Sequence, residues 1–172
     1  MTREEALATL AEGRAAIAAL VAKLDDEQFE RPRTIGGGDW SARDLVSHLA
    51  HWEELAQEAA GEWRAGQEPS IERVFRDGTV DEVNAKNDAA SRGLTAAQVR
   101  ERAARAHAAI VATVTATSDE EWSRKGAYAT ERRETLGMLL ASILGAPKRG
   151  FGHAFAHLPD LQAYVSTLAG GA

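Results

Sequence analysis

Five histidines, His48, His51, His107, His153 and His157, are the residues of this sequence best suited to chemistry. There is no cysteine, which excludes disulfides, thiolate zinc sites, iron–sulfur clusters and a cysteine nucleophile. A metal must therefore be held by His, Asp or Glu, and thiol chemistry needs a thiol brought in from outside. His153 and His157 stand four residues apart. On a helix that spacing puts both imidazoles on one face, about one turn apart, as two ligands of one ion require. Alone, such a pair is a weak signal. A third imidazole from another helix would make a set suited to zinc or nickel, with positions left open for water or substrate.

Helical phase points to the third. Leu45, Leu49, Trp52, Ala56, Ala59 and Trp63 alternate spacings of four and three, the clearest amphipathic stripe in the chain. At 100° per residue, His48 lies about 60° from the centre of that stripe and His51 about 120° away, toward solvent. His107 lies about 80° from the stripe of its own helix. The reading is therefore a divalent metal on His48, His153 and His157. Exchange of His51 for His48 stays open, since phase disfavours it by only about 60°. The plainer reading makes His48 a boundary histidine bonded to a neighbour, and Trp52 and Trp63 core packing.

The elements that must position these groups are helices. Thr2 and Glu5 have the capping-box spacing and open a first helix with Leu7, Leu10, Ile17, Leu20, Val21 and Leu24 on one face. Residues 25–39 break the pattern, with Pro32 and Gly36 to Gly38 as loop markers. Ser41 caps the second helix, with Asp44 in its first turn, and that helix ends near Gly66 and Pro69. Residues 67–93 are polar, with a short helix over 80–90. Thr95 and Gln98 open a third long helix on Val99, Ala103, Ala106 and Ile110, running to about Thr117. Ser118 and Glu121 start a turn holding Trp122. Residues 123–133 read as loop. Leu136 to Leu144 read as a short buried helix, and a last helix runs from Phe151 to Leu168. Pro159 either kinks that last helix or stops it and starts another. The end at Gly170 to Ala172 is expected to fray. Four long apolar stripes bury only against one another, so the expected fold is all-α: one four-helix bundle with short connecting helices, spanning 1–172 as a single domain.

Bulk composition narrows the partners. Lys and Arg number 20 against 26 Asp and Glu, a formal charge of −6, and Arg132 and Arg133 are flanked by Glu131 and Glu134. Nucleic-acid binding needs a basic face, so it is not expected. No segment resembles a signal peptide, and none approaches the roughly 20 apolar residues of a membrane span, so a cytoplasmic protein is expected. No glycine-rich loop follows a strand, and no serine sits in a nucleophile turn.

The run Asp39-Trp40-Ser41-Ala42-Arg43-Asp44-Leu45-Val46-Ser47-His48-Leu49-Ala50-His51-Trp52-Glu53, followed late by His153 and His157, resembles the DinB-like superfamily. The resemblance covers most of the chain in order and length. It implies a four-helix bundle with a divalent metal held by one histidine of the second helix and two of the last, which carried over are His48, His153 and His157. It implies a small-molecule substrate and a homodimer. Characterised members include transferases and isomerases that use mycothiol, bacillithiol or glutathione, among them mycothiol-dependent maleylpyruvate isomerases. The related ClbS/DfsB-like branch protects bacteria against a genotoxin, and Asp81-Glu82-Val83-Asn84 resembles a segment of that branch. Ala156 departs from the acidic residue that many members carry before the last histidine, Pro159 is unusual, and no segment follows for the second domain of the larger isomerases. Three functions stay open: a thiol-dependent S-transferase acting on small electrophiles, with a low-molecular-weight thiol as cosubstrate; a non-catalytic stress-response bundle protein; and a hydrolase that detoxifies a reactive small molecule with activated water.

Overall fold

Thr2 opens the first helix as its spacing predicts: its side chain accepts from the Glu5 amide, and the Glu5 carboxylate accepts from the Thr2 amide. In the computed structural model, which describes residues 1–130, 132–147 and 149–170, that helix is α1 (Arg3–Val21). Three more long helices follow, α3 (Ala42–Arg64), α6 (Ala96–Ala116) and α9 (His153–Ala169). Ser41 with Asp44 and Thr95 with Gln98 build the same reciprocal cap on α3 and α6. Shorter pieces connect them: α2 (Asp26–Glu30), α4 (Ser70–Asp77), α5 (Val80–Ser91), α7 (Asp119–Ser123), the strands β1 (Lys125–Thr130) and β2 (Arg133–Thr135), and α8 (Leu136–Ile143). No described helix is long and apolar enough to cross a membrane.

The four long helices form the expected bundle, in which α6 packs chiefly on α3 and also on α1, and α9 chiefly on α1 and also on α3. α3 and α6 run in the same direction. Arg43, near the start of α3, donates to the Ser91 and Leu94 carbonyls just before α6, and Arg102 meets Glu54 midway. α1 and α9 also run together: Gly13 lies against Ala154 and Phe155, and the Tyr164 hydroxyl donates to the Gln28 carbonyl beyond α1. The return needed between two parallel helices is made by α4 and α5. The apolar stripes bury into two clusters. One joins Leu10, Trp52, Ala56, Ile110, Val114, α8 and Phe151; the other joins Ile17, Phe29, Leu45, Val99, Ala103, Leu161 and Tyr164.

The connecting segments depart from the sequence reading. Residues 123–133 are not loop: most of that stretch pairs with β2 as an antiparallel hairpin. β1 is mostly small and exposed residues, so it shows no alternation of apolar and polar positions, and backbone bonds specify it. α2 is a single turn with its own box, Asp25 and Gln28. α4 holds its first turn through Glu62, which accepts from the Ser70 amide and hydroxyl. The last helix starts at His153 rather than Phe151, because Phe151 takes a left-handed conformation, φ 58°. Pro159 neither stops nor restarts the helix, which continues to Ala169. The cost is one bond, at the Phe155 carbonyl, and burial of Leu161 and Tyr164 beyond it holds the turn. The expected fraying falls, apart from Gly170, on Gly171 and Ala172, outside the described residues.

Candidate metal centre

Adjacent packing of α3 and α9 brings together side chains far apart in the sequence. His48 sits where the stripe of α3 passes from one core cluster to the other, and it is buried, 4% exposed. Phase had put it at the edge of the core face; the neighbouring helix covers that edge. α9 has no side-chain cap, and its first residue is fixed instead by the His153 amide donating to the Leu144 carbonyl at 3.0 Å. Behind it, Phe151 stacks on Trp122, ring centroids 5.9 Å apart. His157 follows one turn later on the same face.

The three imidazoles converge. His153 Nε2 lies 3.0 Å from His48 Nε2 and 3.2 Å from His157 Nε2. One nitrogen of each ring lies within 4.8 Å of the others. An imidazole nitrogen carries either a proton or one lone pair, so His153 Nε2 cannot serve two hydrogen bonds at once. A cation between the rings would use all three lone pairs. With nitrogens about 2.0–2.1 Å from the ion, tetrahedral ligation separates them by about 3.3 Å and octahedral ligation by about 3.0 Å. The spacing and the all-nitrogen donor set fit a borderline divalent ion such as zinc or nickel.

Electrostatics favour the neutral rings that ligation needs. Burial, then repulsion from the other histidines, lowers the His48 pKa to about 2. Burial and His157 lower that of His153 to about 4. Burial also lowers His157, opposed by the nearby Asp160 carboxylate. A ring desolvated with no fixed anion in contact stays uncharged, its lone pair free for a metal. The outward Nδ1 of His48 is buried without a partner.

The centre forms part of the floor of a cleft of about 340 Å³ lined by Trp40, Trp52, Phe75, Val80, Asn84 and Ile143. The Trp40 ring lies 4.9 Å from His48 and 6.3 Å from His157, and Trp52 meets His48 and His153 edge-on at 6.2 and 5.9 Å. Trp52 is thus core packing and cleft wall together. Trp40 and Asn84 were not singled out as site residues by sequence spacing, although both stand in the segments that carry the resemblance. The remaining histidines are elsewhere. His51 faces Glu54 at 3.9 Å, and His107 pairs with Glu53 at 2.8 Å.

Comparison with known proteins identifies the family of the chain. No curated protein matches the chain. An uncharacterised protein from Escherichia coli UTI89 has a similar fold: 15% identity, 98% of this chain and 95% of that one covered, TM-score 0.74. Residues 10–143, which include His48 and end before His153, match the mycothiol maleylpyruvate isomerase N-terminal domain. With well over half of its length matched, and a bundle of the DinB-like kind, the chain belongs to the family of that domain.

Proposed function

We propose that the protein is a divalent-metal-dependent enzyme of thiol-transferase type, joining a low-molecular-weight thiol to a small electrophile. The convergence of His48, His153 and His157 at the foot of a cleft carries the reading. The family supports the thiol. A divalent ion on those residues, zinc or nickel, would supply Lewis acidity that lowers the pKa of a thiol entering the cleft.

The chain's own residues do the rest. The three histidines stay neutral and keep a fixed face open toward the cleft. Trp40, Trp52, Phe75 and Ile143 exclude water and pack the apolar part of a reactant, which strengthens every polar interaction inside. A sulfur–carbon bond forms to the electrophile, and the electron pair displaced from that carbon takes up the thiol's proton. Among the described residues no charged side chain lines this cleft, so the proton passes to that electron pair directly or through solvent rather than by way of a fixed carboxylate. In this reading the chain is a single domain acting in the cytoplasm, and a homodimer is the assembly proposed.

Elemental analysis of tag-free protein tests the reading first. About one zinc or nickel per chain is expected, lost in His48→Ala and His153→Ala and kept in His51→Ala. Thiols are then screened with electrophiles, following loss of free thiol. No metal in the wild type, even after titration with zinc and nickel, removes the mechanism. Electrophile consumption without added thiol favours the hydrolase instead.

A further inference from the structure

Asn84 lies on α5, where that helix packs against α3, and lines the same cleft as the three histidines. We propose that it is the hydrogen-bond donor for the ligand of that cleft, selecting molecules that present a carbonyl or carboxylate oxygen beside the histidines. The inference rests on the metal reading above and names the chemistry of what that site takes.

A primary amide has a donor end and an acceptor end, and its surroundings decide which way it turns. Here the neighbour is unambiguous. Trp52 Nε1 is only a donor, and it lies 3.2 Å from Asn84 Oδ1. Trp52 is itself buried and wedged edge-on against His48 and His153, so it does not rotate to suit another partner. The acceptor end of Asn84 is thereby spent on the indole. The amide also lies against the His48 ring, where its oxygen end faces the imidazole, and its Nδ2 makes no hydrogen bond among the described residues and remains for a ligand.

The rest of the lining makes this donor decisive. Trp40, Trp52, Phe75, Val80 and Ile143 offer apolar surface, and among the described residues no Lys, Arg, Asp or Glu lines the cleft. An oxygen entering here finds two neutral donors, the Ser142 hydroxyl, which rotates, and the Asn84 amide, which Trp52 holds in place beside the histidines. On the far side of His157 the neighbouring cleft is lined by Asp39, Asp88 and Asp160 against a single Arg92. That side repels a carboxylate, so an oxygen ligand is confined to the Asn84 side. In a cleft without mobile charges, a hydrogen bond to an oxygen of partial or full negative charge counts for more than in water.

The test uses full-length protein loaded with cobalt(II), titrated with acetate and, separately, with imidazole, both followed by the visible absorption of the ion. Imidazole binds a metal but presents no oxygen. Asn84→Ala is expected to retain one cobalt per chain by elemental analysis and to bind imidazole within twofold of wild type. Its acetate affinity is expected to be weaker by about 10- to 100-fold, the range for a hydrogen bond to a charged group. Asn84→Asp keeps an acceptor for Trp52 but turns a carboxylate toward the ligand, so acetate should bind more weakly still. Acetate affinity within twofold of wild type in Asn84→Ala overturns the proposal. So does equal weakening of acetate and imidazole, which marks a collapsed cleft. Failure of the wild type to hold cobalt sinks the metal reading itself, and that result is distinct from either.

Discussion

Replacing Arg133 by Met should leave the metal centre intact and cost the fold about 3 kcal/mol. Arg133 on β2 grips Glu72 on α4 with two parallel bonds, one of them 2.7 Å from Nη2 to Oε2. Glu72 is 5% exposed, so the carboxylate has little water to fall back on once its partner is gone. Breaking a buried pair from one side costs about 3–5 kcal/mol, and the low end applies because the arginine keeps some contact with solvent. In a chain of this length 1 kcal/mol moves Tm by about 2–4 °C, so a fall of about 6–12 °C is expected. Arg133→Met with Glu72→Met removes both charges and should recover most of the loss, since apolar replacement of a buried pair is often neutral or stabilising. The guanidinium also lies 5.0 Å from the Phe75 ring, which walls the cleft, whereas the histidines belong to α3 and α9. Metal stoichiometry should therefore stay near one in both variants. Thermal unfolding followed by circular dichroism, with urea titration for the free energies, reads the outcome. A single variant destabilised by less than about 1 kcal/mol, or a double variant no better than the single, would refute the claim that this pair is buried and coupled.

Three further outcomes are expected. Gly126→Ala puts a Cβ 2.1 Å from the Trp63 ring and should cost about 1–3 kcal/mol in urea denaturation, with Trp63→Leu relieving the clash. Burial raises the Glu54 pKa, but His51 and the forked Arg102 overcome it and bring it to about 2. A depressed folded pKa adds stability above the unfolded value near 4.5, lost as pH falls from there toward 2. Glu54→Gln should therefore flatten the dependence of stability on pH across that window. His48→Leu removes the partnerless Nδ1 together with the Nε2 that meets His153, and it fills the site with apolar volume, so the metal-free variant should melt within a few degrees of wild type. Zinc at 100 times its Kd should stabilise the wild type by about 2.7 kcal/mol and leave this variant unmoved, which calorimetry with and without zinc measures.

The long helices were legible because their signals are local and redundant. Ser41 with Asp44 fixes where α3 begins, and the stripe from Leu45 to Trp63 fixes which face turns inward. The phase that set His48 apart from His51 is the same signal at finer grain, and the difference between a buried ring and one facing Glu54 bears it out. The hairpin at Lys125–Thr130 was illegible for the converse reason: its residues are small and mostly exposed, and the pairing lies in backbone bonds that side-chain type does not encode. α4 hid because one of its two buried side chains is Glu72, whose burial depends on an arginine some sixty positions away. Asn84 could be noticed as part of a motif, but which end of its amide is free depends on Trp52 in another helix. Of the two outcomes that Pro159 left open, a stop with a restart is the one the continuous helix rules out. Proline costs one hydrogen bond and some strain, whereas continuing the helix buries Leu161 and Tyr164, and burial prevails.

The three histidines also differ in what assembles them. His153 and His157 are four residues apart, so their rings meet whenever one turn of α9 forms. His48 is 105 positions from His153 and meets it only when α3 and α9 are packed side by side. A chain that has lost its bundle keeps at most a two-ligand pair, and it loses the burial that holds the rings neutral. High affinity for a metal would thus belong to the packed α3–α9 interface rather than to the His-x-x-x-His spacing. That is why the spacing alone is a weak signal and becomes a strong one only with a third imidazole on the facing helix. The position of the centre follows from the same logic. It lies between two apolar clusters, each of which closes one end of the bundle, so that three polar rings sit where neither cluster needs to pack. A cation there would draw the two halves together at the one level where side-chain packing does not.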